Sequence, residues 1–174
     1  GLNRPDQNGD PHLLARASYP FKLASGQFVE LGVQAYHGRF VTPTQAISFD
    51  GSTVTPALPA EGVIDQRVGV TAVWYPQPFG VEAEWNIGRG PELSARSIND
   101  ASLNGGYVQA NYRRRDSVAL WFPFVRWSYF DGGRKFARNA PRVKVNEVDF
   151  GLEVARWLEI EMTAMYTHTF ERTR

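Results

Sequence analysis

The sequence predicts an all-β protein, an antiparallel transmembrane β-barrel segment of about eight strands arranged as four hairpins. Three observations carry that expectation. Eight stretches alternate apolar with polar residues, and an extended strand sends the two kinds to opposite faces. Their connections are short and long by turns, as in barrels with tight turns on one side of a membrane and loops on the other. Aromatic residues gather towards both ends of the stretches around a valine, alanine and leucine band, as two water–lipid interfaces would require.

The first strand is read over 12–23, where Ala15, Ala17, Tyr19 and Phe21 share one face and Arg16 and Lys22 the other. Ala24-Ser-Gly26 turns the chain into 27–40, with Val29, Leu31, Val33 and Ala35 opposed by Glu30 and Gln34. After a long loop over 41–65, strand 66–75 sets Val68, Val70, Ala72 and Trp74 against Arg67 and Thr71. Pro76-Gln-Pro78 leads into 79–88, with Phe79, Val81, Ala83 and Trp85 against Glu82, Glu84 and Asn86. A second long loop, 89–104, precedes 105–113, where Val108, Ala110 and Tyr112 oppose Gln109 and Asn111.

The turn 114–117 enters 118–130, which is apolar on both faces in its first half and carries Arg126. A third loop, 131–144, leads to 145–156, with Val148, Phe150, Leu152 and Val154 against Glu147, Asp149 and Glu153. A tight connection around Trp157 opens the last strand, 158–170, with Leu158, Ile160, Met162, Ala164, Tyr166 and Phe170 against Glu159, Glu161, Thr163, Thr167 and Thr169. The loops are rich in Gly, Pro, Ser and Asn, which break regular structure. Pro20 and Pro123 argue against helices and mark an edge or a bulge.

Composition fits one barrel segment over 1–174. Net charge is +1, so no global field steers the chain to nucleic acid, and cysteine is absent, so there is no disulfide framework or thiolate metal site. No run of about 18 apolar residues exists, which excludes a spanning helix and leaves a spanning barrel open. Gly1–Asp10 lacks the apolar core of a signal peptide. Four short connections against three long ones, with both ends on the long-loop side, invert the tally of a complete eight-stranded barrel. The expectation is a segment of a larger barrel, its remaining strands supplied by sequence outside these residues or by another chain.

The run Pro11-His-Leu-Leu-Ala-Arg-Ala-Ser-Tyr-Pro-Phe-Lys22, then Gly26-Gln-Phe-Val-Glu-Leu-Gly-Val-Gln-Ala-Tyr-His-Gly-Arg-Phe-Val41, resembles bacterial phosphate-selective porins of the O/P type. So does the closing stretch from Glu159 to Arg174. The resemblance implies a sixteen-stranded, often trimeric porin of the bacterial outer membrane, with this chain as its C-terminal part. Passive diffusion of small hydrophilic solutes, including anions such as phosphate, would be its function. Outer-membrane lipid and lipopolysaccharide would be its surroundings.

Inward positions tune permeation through a narrow aqueous pore. The basic candidates are Arg16, Lys22, Arg67, Arg113 and Arg126; the acidic ones include Glu30, Glu82, Glu84 and Glu153, joined by Glu147, Asp149, Glu159 and Glu161. That mixture argues against strong anion selectivity along the strands. The third loop holds Arg134, Lys135, Arg138, Arg142 and Lys144; folded into the mouth it would gather anions, and exposed it would be solvated or bonded to lipopolysaccharide.

Catalysis and metal binding are not expected. Glu82/Glu84 and Glu159/Glu161 have a spacing that suits a glycosidase, but every wet strand face bearing glutamate shows it. His12, His37 and His168 lack ligand spacing, with His168 placed in the interfacial belt, and no cofactor motif is present. Two other readings stay open: a barrel that scaffolds a partner protein, and a soluble barrel holding an apolar ligand with its glutamates outside.

Overall fold

The computed structural model describes residues 9–157 and 160–173, without the side chain of Trp157; Leu158 and Glu159, two of the residues assigned to the last strand, lie outside them. Among the described residues, eleven strands follow in chain order: β1 (Leu13–Lys22), β2 (Phe28–Phe40), β3 (Ile47–Phe49), β4 (Ser52–Val54), β5 (Val63–Trp74), β6 (Phe79–Ser94), β7 (Ser97–Tyr112), β8 (Arg114–Arg115), β9 (Leu120–Gly133), β10 (Arg142–Trp157) and β11 (Ile160–Thr173). The eight long ones form one antiparallel sheet in sequence order, β1-β2-β5-β6-β7-β9-β10-β11, with the two-residue β8 beside β9. The sheet is open, with β1 and β11 at its edges.

Directly opposed residues in antiparallel strands share a face, so the register fixes rows across the sheet. One row runs Ala17–Val33–Val70–Trp85–Gly106–Tyr129–Asn146–Phe170, and the next Tyr19–Leu31–Ala72–Ala83–Val108–Trp127–Val148–His168. This face is open to the surroundings: Val33 is 55% exposed, Val70 56%, Ile87 59% and Phe150 57%. Along β6 the outward apolar run Phe79 to Ile87 covers roughly 27 Å of strand, or roughly 20 Å of membrane at a tilt of about 40°. That matches the apolar band of an outer-membrane barrel. The polar face carries buried charge, with Asp65 and Asp149 fully covered. A soluble barrel with an apolar interior needs the reverse arrangement, and that alternative fails.

Two expectations need correction. Residues 89–104 are not a loop: β6 and β7 pair without a break from Phe79↔Tyr112 to Ser94↔Ser97, turning at Ala95-Arg96. Gly88, Gly90 and Pro91 resemble turn residues but pair as strand, and the missing side chain of Gly90 leaves room for Leu103. The flanking loops are also shorter than expected. β5 starts at Val63, and β9 and β10 leave only 134–141 between them. Pro123 does interrupt a ladder: β7–β9 pairing stops at Asn111↔Phe124 and resumes as Arg114↔Trp121.

Aromatic placement is corrected in part. Phe21, Trp74, Phe79, Tyr112, Trp85, Trp127, Tyr129 and Phe170 share the outward rows, but Phe28, Tyr36, Phe40 and Tyr107 fall on the inward ones. Tyr36 and Phe40 face a lysine there.

Candidate pore lining and loop latch

The inward rows read Pro20–Glu30–Val73–Glu82–Gln109–Arg126–Asp149–Thr167 and Ser18–Gly32–Thr71–Glu84–Tyr107–Ser128–Glu147–Thr169. Alternation alone places every one of these side chains. Their carboxylates are mostly held by neighbours on the wall. Glu84 Oε1 accepts from Gln34 Nε2 at 2.9 Å and Asn86 Nδ2 at 2.6 Å. Glu30 accepts from the Tyr75 hydroxyl at 2.9 Å, and Glu147 from Thr169 Oγ1 at 2.7 Å. Asp149 takes Arg126 Nε at 2.8 Å and Thr167 Oγ1 at 2.6 Å. Such charge-assisted bonds are shorter and stronger than neutral ones.

The densest charge node sits near the loop end. Asp65 is fully buried; its Oδ1 accepts from Arg67 Nη2 at 3.2 Å and its Oδ2 pairs with Lys135 Nζ from the 134–141 loop. Lys135 lies over the rings of Phe40 (4.9 Å), Phe136 (5.1 Å) and Tyr36 (5.4 Å). The same loop is tied to the 41–46 stretch. Asn139, in left-handed backbone (φ 63°), donates Nδ2 to the Gln45 carbonyl at 2.8 Å and accepts the Gln45 amide at 2.7 Å. Thr42 Oγ1 bonds the Lys135 carbonyl at 3.3 Å. Two loops and the wall are thus latched together. A cavity of about 300 Å³ opens beside this latch, lined by Gln34, Tyr36, Arg67, Glu84, Asn86 and Lys135. Arg67 Nε is buried without a hydrogen-bond partner among the described residues.

Of the expected lining residues, Arg16, Lys22, Glu30, Arg67, Glu82, Glu84, Arg126 and Glu153 all stand on inward rows. Arg113 follows β7, its amide bonded to the Pro78 carbonyl at 2.7 Å, in the turn region. The basic loop does not form one cluster. Lys135 turns onto Asp65, Arg134 pairs with Glu171 at 2.6 Å, and Arg138 donates to Gln45 Oε1 at 2.7 Å. Arg142 bridges Asp131 and Glu92, each at 2.8 Å, and Lys144 lies on the outward face over Tyr129. Acids of the wall neutralise most of these cations. The histidines stand apart: His12 bonds the Arg39 carbonyl at 2.9 Å, His37 meets Gln66 at 3.1 Å, and His168 stacks edge-on against Phe170.

Asp65 and the Asn139 clamp went unrecognised in the sequence. Extending the 66–75 alternation one residue back puts Asp65 in step with Arg67, which is the signal that finds it. At the opposite, tight-turn end, Asp116 accepts the amides of Val118 (2.8 Å) and Ala119 (2.9 Å) and the Trp121 indole (3.0 Å). The Ala119 and Val118 amides lead in holding its carboxyl below the ordinary value of 3.8.

A sheet with an exposed apolar face, aromatic residues near both rims and a wet, hydrogen-bonded face is the wall of a transmembrane β-barrel. The model of the family described as phosphate-selective porin O and P matches residues 1–123, most of the chain. The chain belongs to that family, one of outer-membrane channels. No curated protein and no solved structure matches it.

Proposed function

We propose that this wall lines a general diffusion pore for small hydrophilic solutes that admits anions without strongly selecting them. Supporting this is the split of the sheet into an exposed apolar face and a polar face bearing both signs of charge. Arg67 and Lys135 share Asp65, with Glu84 lining the same cavity, so that neighbourhood is close to neutral. Arg16 and Lys22 supply the wall's cations without an acid in ion-pair reach among the described residues. A one-signed arginine ladder would select anions far more strongly.

On this reading the open edges of β1 and β11 are closed by further strands, because unpaired backbone in hydrocarbon costs several kcal/mol per group (~2–7). The test is conductance in planar bilayers with reversal potentials in a salt gradient. The reading expects stable ohmic steps and a reversal potential near zero or on the anion side; a clear cation preference, or no conductance, removes it.

A further inference from the structure

At the loop-side rim of the outward face, Asp131, Lys144 and Arg172 stand in one row on β9, β10 and β11. Two cations directly opposed across a strand pair repel. Asp131 does not relieve them, since its Oδ1 is held by Arg142 Nε at 2.9 Å and Nη2 at 2.8 Å. Glu171 points to the opposite face, bound to Arg134. Among the described residues, Lys144 is left with the Tyr129 ring below it, 5.5 Å from its Nζ.

That ring belongs to a platform. Trp85 and Tyr129 stack at 5.7 Å and 10°, and Trp85 and Trp127 at 6.4 Å and 23°. Gly106 lies between Trp85 and Tyr129 in the row, and its missing side chain lets the two rings meet. Flat aromatic faces beside unneutralised cations, at the edge of an apolar band, fit a phosphate on a sugar above acyl chains.

We propose that this rim binds the phosphorylated glycolipid headgroup of the outer leaflet, with Lys144 and Arg172 taking the phosphate and the Trp85–Trp127–Tyr129 platform taking the sugar. Charge-assisted bonds from both cations to one anion remove their mutual repulsion. The site rests on the orientation of the barrel wall and not on what passes through the pore.

The experiment compares the protein in phosphatidylcholine vesicles alone, with lipid A added, with dephosphorylated lipid A, and with inorganic phosphate. Thermal unfolding and lipid phosphorus retained after gel filtration are read, with conductance as a separate readout. Lipid A should raise the midpoint by mass action. It should do so for the native protein and for a Lys144→Arg/Arg172→Lys variant, while Lys144→Gln/Arg172→Gln retains lipid A about thirtyfold less, from about a kcal/mol for each of the two cations. Neither dephosphorylated lipid A nor inorganic phosphate should have this effect, and conductance should be unchanged throughout. An equal shift in the native and Gln variants, no shift in the native protein, or a shift reproduced by inorganic phosphate overturns the site. Lost conductance would bear on the pore reading instead.

Discussion

Replacing Lys135 with Met tests the latch most sharply, because Met keeps the stem over Phe40, Phe136 and Tyr36 and removes only the charge. Asp65 is then left fully buried with Arg67 at 3.2 Å and the Tyr36 hydroxyl as its partners among the described residues. Removing one partner of a buried ion pair costs about 3–5 kcal/mol; the surviving Arg67 contact places this case at the lower end, about 3 kcal/mol. The lost contacts of the ammonium with three rings add in the same direction. The cost falls on docking of 134–141 and not on the strand ladders.

At about 1.4 kcal/mol per tenfold, it raises the undocked fraction of the loop roughly a hundredfold. Arg134 and Arg138 remain as tryptic sites in the variant, and nicking tracks the open population when reclosing is fast. Trypsin added to the protein in sealed vesicles should cut within 134–141 about a hundredfold faster, with barrel heat-modifiability retained. Asp65→Asn should do at least as much, since it leaves two cations facing each other. Cleavage rates within threefold of the native protein in both variants would refute the latch.

Gly106→Ala forces a Cβ against the Glu84 carbonyl oxygen and should cost about 1–3 kcal/mol in urea unfolding, with a change in tryptophan emission as the Trp85–Tyr129 stack opens. On β7, Val108→Arg should destabilise by about 2–4 kcal/mol in lipid while its neighbour Gln109→Arg stays within about 1 kcal/mol, because only the first faces hydrocarbon. Asp116 has a depressed carboxyl, so its stabilising effect is full above the unfolded value near 3.8 and fades as pH falls through the lower folded one. Trp121 emission should report turn opening at acid pH in the native protein, and Asp116→Asn should make that signal independent of pH below 4.

Strand parity was legible because period-2 alternation is a backbone property that partners do not alter. Val68, Val70, Arg67 and Thr71 stand on the faces their spacing assigns. The 89–104 hairpin was hidden because its turn uses Ala95, at φ 53°, and Arg96 in place of the Asn-Gly or Asp-Gly that two-residue turns favour. Inside the stretch read as the 41–65 loop, β3 and β4 pair around Asp50-Gly51, a turn of the favoured kind that the loop reading passed over. Tyr36 and Phe40 mislead because aromatic residues suit both a lipid interface and a ring bed under an ammonium. The candidate pore lining follows from parity, but the pairing of Lys135 with Asp65 depends on how a loop seventy residues away folds back, which local pattern does not encode.

The absence of native cysteine makes single-site labelling clean. With a nitroxide placed in turn at Val33 and at Gln34, neighbours on β2 with opposite faces, collision with oxygen and with a water-soluble nickel chelate in lipid vesicles separates hydrocarbon from water. Oxygen dominance at Val33 and chelate dominance at Gln34 is the expected result. Equal accessibility of both sites, or the reverse order, contradicts a lipid-facing apolar side around an aqueous lumen.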